Sequence, residues 1–210
     1  GTIVTTGLSK HLSLGSFRLG IALMPRELPA VFQVLRSIAS ETFSAVSTPI
    51  QYSVLTAFQE DAEIEPYIAH CTEIHDVVTR YVWRTLQQLG VDYAEPQGGF
   101  YLYPDFNRYR ANLSAHGGVV TSDDLAHDLL HSQQVAALPG TAFGDDPREL
   151  RLRLSTVDFD GPSALSAYPE IVGDGGGGPR ERENRFIETA CPRVAEGCRR
   201  LVEYLIGEDV

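Results

Sequence analysis

The feature that most constrains this chain is a long apolar period between residues 64 and 89. Ile68, Cys71, Ile74, Val78, Val82 and Leu86 recur at helical spacing, and Gly90 follows them. That spacing lays one apolar stripe along an α-helix, and glycine is a common stop because it accepts the left-handed backbone at a helix end. At 1.5 Å of rise per residue such a helix is roughly 39 Å long, enough to bridge two domains. Before it, the β-branched run up to Thr6 and the apolar run Leu19 to Met24, stopped by Pro25, read as two short strands. Between these strands, Ser9 and Lys10 are expected in a loop. Residues 27–42 read as a helix with Leu28, Val31, Leu35 and Ile38 on one face, and Pro49 opens another that runs to about Gln59. After the long helix, Gln97 to Tyr103 reads as an aromatic strand, with Tyr101 and Tyr103 turned into the core. A helix over about 123–132 follows, capped by Ser122, and then strands at Val135 to Leu138 and Leu150 to Val157. A glycine-rich connector from Asp174 to Pro179 leads to a last helix over about 183–206. Two early strands cannot make a domain alone, so they read as the edge of a larger sheet.

Charge and cysteine content narrow the function classes. The chain has 210 residues and a net charge of −11, which opposes the basic footprint that nucleic-acid binding needs. Hydrophobic residues at 43% and charged residues at 21% are ordinary globular composition. No apolar run approaches the roughly 18 residues of a membrane helix, and the first residues carry no basic segment of a signal peptide. Cys71, Cys191 and Cys198 form no CxxC pair and read as reduced thiols, which points to the cytoplasm. His127 and His131 stand four apart on a predicted helix but lack a third ligand at a recognisable spacing, so they read as a solvated face.

Lys10 is the only lysine among the 17 basic residues. Arginine is effectively always protonated, whereas a lysine amine can act as a nucleophile once its pKa is lowered. Eight residues on stands Arg18, within SKHLSLGSFRLG. An amine that captures an aldehyde, a guanidinium whose planar fork matches a phosphate, and small residues between them suit a phosphorylated aldehyde cofactor. A lysine and an arginine at this spacing also occur in ordinary solvated loops, so the pair alone decides little.

The surrounding motifs decide more. SKHLSLGSFRLG resembles the S-K-x(5–6)-G-x-R-x-G motif of the class I/II aminotransferases, and further matches follow in order. Ser47-Thr48-Pro49-Ile50-Gln51 resembles the family's S-x-P-x-Q helix start, and Pro96-Gln97-Gly98-Gly99-Phe100-Tyr101 its P-x-G-G-F-Y strand. Pro139-Gly140-Thr141-Ala142-Phe143-Gly144 resembles its P-G-x-x-F-G turn, and Arg153-Leu154-Ser155 its final R-L-S strand. The resemblance implies an α/β chain of fold type I, comprising the edge of the large-domain sheet and the complete α+β small domain. Residues 1–63 would belong to the large cofactor-binding domain, 64–90 to the interdomain helix and 91–210 to the small domain. It implies an aminotransferase that moves an amino group between an amino acid and a 2-oxo acid, working as a homodimer. Its cofactor would be pyridoxal phosphate, held as a Schiff base on Lys10, which would also shuttle the proton. Arg18 would bind the cofactor phosphate and Arg153 the substrate carboxylate. Alternation does not separate Arg153 from Arg151, since both face the same side of a strand. The R-L-S match selects Arg153.

Several positions depart from the family pattern. The hydroxyl residue usual three positions before the lysine is Gly7 here, and Ser9 is the nearest substitute for contact with the phosphate. Phe17 stands where a tryptophan is usual. The sequence reads as the C-terminal half of such an enzyme, without the aspartate that pairs the ring nitrogen or the tyrosine on the phenolic oxygen. The 210-residue chain alone is therefore expected to be nearly inactive. Other readings are a non-catalytic cofactor-binding or degenerate module, or a lyase or synthase on the same fold, because one fold serves many chemistries.

Overall fold

The computed structural model describes residues 1–59, 62–91, 93–173 and 176–207. The first two positions of the glycine-rich connector, 174 and 175, lie outside the described residues. The chain divides into two compact units, Gly1–Ala69 and His70–Val210, and the division falls inside the long helix.

The first unit opens with strands β1 (Val4–Gly7) and β2 (Gly20–Leu23), paired antiparallel from Val4 opposite Leu23 to Gly7 opposite Gly20. These two strands form a sheet with no third member among the described residues. Helix α1 (Leu8–His11) follows β1 directly, so Ser9 and Lys10 lie on a helical turn rather than in the expected loop. A single turn is too short to leave a periodic trace in sequence. Leu8 and Leu12, four apart, point the same way and are buried with Leu19. Helix α2 (Pro29–Thr42) carries the expected apolar stripe, yet Val31, Leu35 and Ile38 are exposed and no residue of α2 is buried. Helix α3 (Thr48–Ala57), with Pro49 in its first turn, sends Ile50 and Val54 against the Leu8 cluster.

The long helix is α4 (Ile64–Gln88), and in the second unit it buries Ile74, Val78, Val82 and Leu86, as its period requires. Gly90 follows with φ +67°, the left-handed conformation expected of a terminal glycine. The second unit holds an antiparallel sheet ordered β3 (Tyr101–Leu102), β5 (Leu152–Ser155), β4 (Leu138–Pro139). The strands expected at 97–103 and 135–138 are thus each only two residues long. Leu102, Leu152 and Leu154 are buried, so Tyr101 lies on the opposite, outer face and is 41% exposed. This corrects the inward placement of the tyrosines: alternation holds, but with the other parity.

Helix α5 (Arg110–Gly117) and helix α6 (Ser122–Gln133) lie between β3 and β4. The cap of α6 is Thr121, not Ser122: the Thr121 side chain accepts from the Asp124 backbone N–H, while the Asp124 carboxylate accepts from the Thr121 N–H. Ser122 is instead buried inside the first turn. Helix α7 (Gly161–Gly173), with Pro169 inside it, is an element that the sequence analysis did not assign. The expected last helix is two, α8 (Pro179–Ala190) and α9 (Pro192–Ile206). Pro192 forces the break, because it has no N–H to donate and pushes Cys191 out of the helical region, to φ −126° and ψ 46°. Cys191 and Cys198 are both buried, each contributing to the core as a small apolar side chain. The Thr79 and Thr156 hydroxyls, both buried, stand 2.9 Å apart and tie α4 to the segment after β5.

Candidate functional site

Lys10 owes its position to its neighbours. Leu8 and Leu12 anchor one side of α1 in the apolar cluster, which turns Lys10, two residues from each, toward the exposed side. Across the β-ladder, the chain makes a 3-10 turn at Gly15–Phe17 and reaches Arg18, whose φ of 51° and ψ of 42° are left-handed. A non-glycine residue in that conformation costs about 1–2 kcal/mol. Here the turn enforces it, with the Arg18 backbone N–H and Nη1 both donating to the Gly15 carbonyl, at 3.4 and 2.9 Å.

These turns bring Lys10 and Arg18 to one cavity of about 520 Å³, lined also by Thr6, Gly7, Ser9, Leu19 and Gly20. The lining holds two cationic side chains and two residues with hydroxyls. No carboxylate lines it among the described residues. Such a cavity favours an anion, since field lines from both cations converge on it. Gly7 explains one departure from the family pattern. A Cβ there would lie 2.8 Å from the Leu19 carbonyl oxygen, so any side chain would force β1 and β2 apart. Ser9 lines the same cavity and is half-buried.

An amine and a guanidinium on one cavity fit an aldehyde and a phosphate, the two reactive ends of pyridoxal phosphate, and the volume suits a ligand of that size. The described lining offers no acidic partner for a ring nitrogen.

Arg153 belongs to the second unit, on β5, paired to Leu138 of β4. Its guanidinium carbon lies 4.4 Å from the centre of the Tyr101 ring and 4.8 Å from that of Phe143. Arg151, on the same face of the strand, has a different environment. Its guanidinium faces Asp105 at 3.3 Å, Asp145 at 3.4 Å and Glu149 at 3.8 Å. Three carboxylates thus occupy Arg151, whereas Arg153 meets aromatic faces and has no carboxylate partner among the described residues. An aromatic ring does not take up the guanidinium's hydrogen-bonding capacity as a carboxylate does. The sequence reading missed Phe143 and Tyr101 as companions of Arg153, although both lie in quoted motifs. The parity that places residues 101, 103, 151 and 153 on one face would have found Tyr101; Phe143, on the 3-10 turn Gly140–Phe143, follows no strand alternation.

His127 and His131 are exposed, with ring centres 4.2 Å apart. Among the described residues, no group of three His, Cys, Asp or Glu side chains could hold a metal ion. No described helix is long and apolar enough to cross a membrane.

Residues 1–159 match the family described as "Aminotransferase class I and II". A "Probable aspartate/prephenate aminotransferase" of Aquifex aeolicus is 32% identical over 155 residues, covering 72% of this chain and 36% of that protein. An "Aspartate aminotransferase" of Geobacillus stearothermophilus is 27% identical over 188 residues, covering 89% of this chain and 41% of that one. Among solved structures, an aspartate aminotransferase from Thermotoga maritima superposes with a TM-score of 0.63 at 21% identity, over 97% of this chain and 40% of that one. At that identity the likeness establishes the fold, the mixed α/β fold type I. The chain spans about two fifths of the length of the curated relatives it matches.

Proposed function

This chain belongs to the class I and II aminotransferase family, and from that premise we propose that it forms the lysine-bearing part of a pyridoxal-phosphate-dependent aminotransferase. The reaction would move an amino group between an amino acid and a 2-oxo acid. The observation that carries the reading is the convergence of Lys10 and Arg18 on one cavity with no carboxylate among its described lining residues. When bound, the cofactor supplies an aldehyde to take up the amino group and a conjugated ring to accept electrons from the bond being broken.

The chain's own residues then have defined tasks. Arg18 would bind the phosphate, with the Ser9 hydroxyl lining the same cavity. Lys10 holds the cofactor through Nζ. Lys10 Nζ would also be the group that moves the proton at the substrate Cα. Arg153 grips the substrate carboxylate, a role favoured over Arg151 by the three carboxylates already around the latter. We assign residues 1–63 to the large domain, 64–90 to the interdomain helix and 91–210 to the small domain. The enzyme would work as a homodimer in the cytoplasm, by resemblance to its family.

Titration of the chain with pyridoxal phosphate, followed by absorbance, tests the reading. A lysine adduct should form in the parent and vanish in Lys10→Ala, while Arg18→Ala should form it with weaker affinity. An adduct of equal strength in Lys10→Ala would contradict the assignment.

A further inference from the structure

The outer face of the second unit's sheet carries a connected polar and aromatic cluster. Leu102 pairs with Leu154 and both are buried, so Tyr101 and Tyr103 project on the same side as Arg153. The 3-10 turn Gly140–Phe143 supplies the Phe143 ring. Tyr103 meets that ring edge-on, at 5.6 Å and 83°, and its hydroxyl donates to Asp145 Oδ2 at 2.8 Å. The same carboxylate oxygen faces Arg151 Nη1 at 3.4 Å. The turn closes on itself, with the Asp145 N–H donating to the Gly140 carbonyl at 3.2 Å and the Gly140 N–H to the Arg151 carbonyl at 2.8 Å. The fit leaves little slack: a Cβ on Gly140 would lie 3.1 Å from the Tyr103 hydroxyl and 3.2 Å from the Asp145 Cβ.

Arg153 needs this arrangement because of how it is held. A guanidinium on a long side chain has several rotatable bonds, and freezing it costs conformational entropy. No carboxylate fixes it among the described residues. Two aromatic faces do, one from β3 and one from the turn. Tyr101 is set by the strand register, opposite Ser155 and diagonal to Arg153. Phe143 is 46% exposed and lies outside any strand, so its ring depends on what holds the turn.

We propose that Tyr103 and Asp145 are positioning residues that fix the Phe143 ring, and through it hold the Arg153 guanidinium between two aromatic faces, pre-oriented for a carboxylate. This rests on the reading of Arg153 as the carboxylate receptor. The ligand class follows from the geometry. The guanidinium meets two aromatic rings and no carboxylate among the described residues, and its planar fork matches the two oxygens of a carboxylate. The cost of ordering the side chain is met before the ligand arrives, which is the advantage of a preorganised site.

The test uses the 210-residue chain with nitrogen-15-labelled arginine. In the parent, the Arg153 side-chain resonance should be displaced by the ring currents of Tyr101 and Phe143 and show restricted motion. Acetate should perturb it and acetamide should not. Tyr103→Phe keeps the ring and loses the hydroxyl; it should shrink the displacement, increase the mobility and weaken acetate binding about two- to fivefold, the range of an exposed cation–π contact. Asp145→Asn should act in the same direction, Phe143→Leu more strongly, and Phe143→Tyr should restore the parent spectrum. An unchanged Arg153 resonance in folded Tyr103→Phe and Asp145→Asn chains would overturn the proposal, whatever Phe143→Leu does. Acetate that leaves Arg153 unmoved in the parent would instead overturn the receptor reading, and the mobility data would still decide whether Tyr103 and Asp145 position the side chain.

Discussion

Arg153 lies with its guanidinium carbon 4.4 Å above the Tyr101 ring, while Arg151, two residues away on the same strand face, is surrounded by carboxylates. One strand thus holds an arginine paired with carboxylates beside one that meets aromatic rings. In a complete enzyme, Arg153→Ala should cost roughly 2–5 kcal/mol of transition-state binding with amino acids, because it removes a charge-assisted contact from a desolvated pocket. Amines lacking the carboxylate should lose far less. Steady-state kinetics on both substrate classes checks this, and equal losses would move the role away from Arg153.

The chain by itself should turn over poorly. No carboxylate lines the Lys10 cavity among the described residues, so nothing there holds a cofactor ring nitrogen protonated. Supplied with pyridoxal phosphate, an amino acid and 2-oxoglutarate, the 210-residue chain should fall well short of the ~1 s⁻¹ of an ordinary enzyme. A coupled assay for the amino-acid product measures this. Turnover at that rate would mean that residues within the chain supply the acidic partner.

Much of this architecture was legible in the sequence, for identifiable reasons. The stripe from Ile74 to Leu86 repeats over several turns, and the helix that carries it ends at Gln88, two residues beyond the last member of the stripe. The sequence around Lys10 was legible as an ordered set of motifs, but its local shape was not, since one helical turn has no period to detect. The outer sheet face was misread because β3 is two residues long, too short for alternation to reveal which parity is buried. The α8–α9 break stands at Pro192, and the apolar spacing that continues across it, from Phe186 and Ile187 through Val194 and Cys198 to Leu205, reads as one helix. The apolar stripe of α2 was read correctly as a stripe, yet the described residues bury none of it.

Thr121 caps α6 through a reciprocal pair with Asp124. Thr121→Ala should therefore lower stability by about 0.5–2 kcal/mol, and Thr121→Ser by much less. Hydrogen bonds from the Thr121 side chain and from the Val120 and Thr121 backbone hold the Asp124 carboxyl below its usual pKa. Its folded pKa is depressed, so its contribution is present above the unfolded pKa of 3.8 and is lost as pH falls through the folded value. Denaturant titrations at neutral and acid pH should show the gap between parent and Thr121→Ala narrowing in acid. A gap that persists unchanged would place the effect elsewhere.

Burial pushes the Cys191 and Cys198 thiols up to about 11 from 9.0. A raised folded pKa stabilises the fold below the unfolded value, and the contribution is lost as pH rises between 9.0 and about 11. Each thiol is linked to about 2–3 kcal/mol over that window. Melting temperature should fall across it, and less steeply in Cys198→Ala. Both thiols should resist alkylation in the folded chain, while the half-buried Cys71 reacts first. A slope unchanged by the substitution would show that other groups carry the alkaline transition.

The account turns on Lys10 as the residue that carries the cofactor. It is the only lysine in the chain, so the N-terminal amine is its sole primary-amine competitor. Borohydride reduction in the presence of pyridoxal phosphate, followed by peptide mapping, reads the attachment point directly. The account predicts the reduced pyridoxyl group on the peptide that contains Lys10, with protection by competing inorganic phosphate at the Arg18 end of the cavity. Label confined to the N-terminal amine, with Lys10 unmodified, would contradict it.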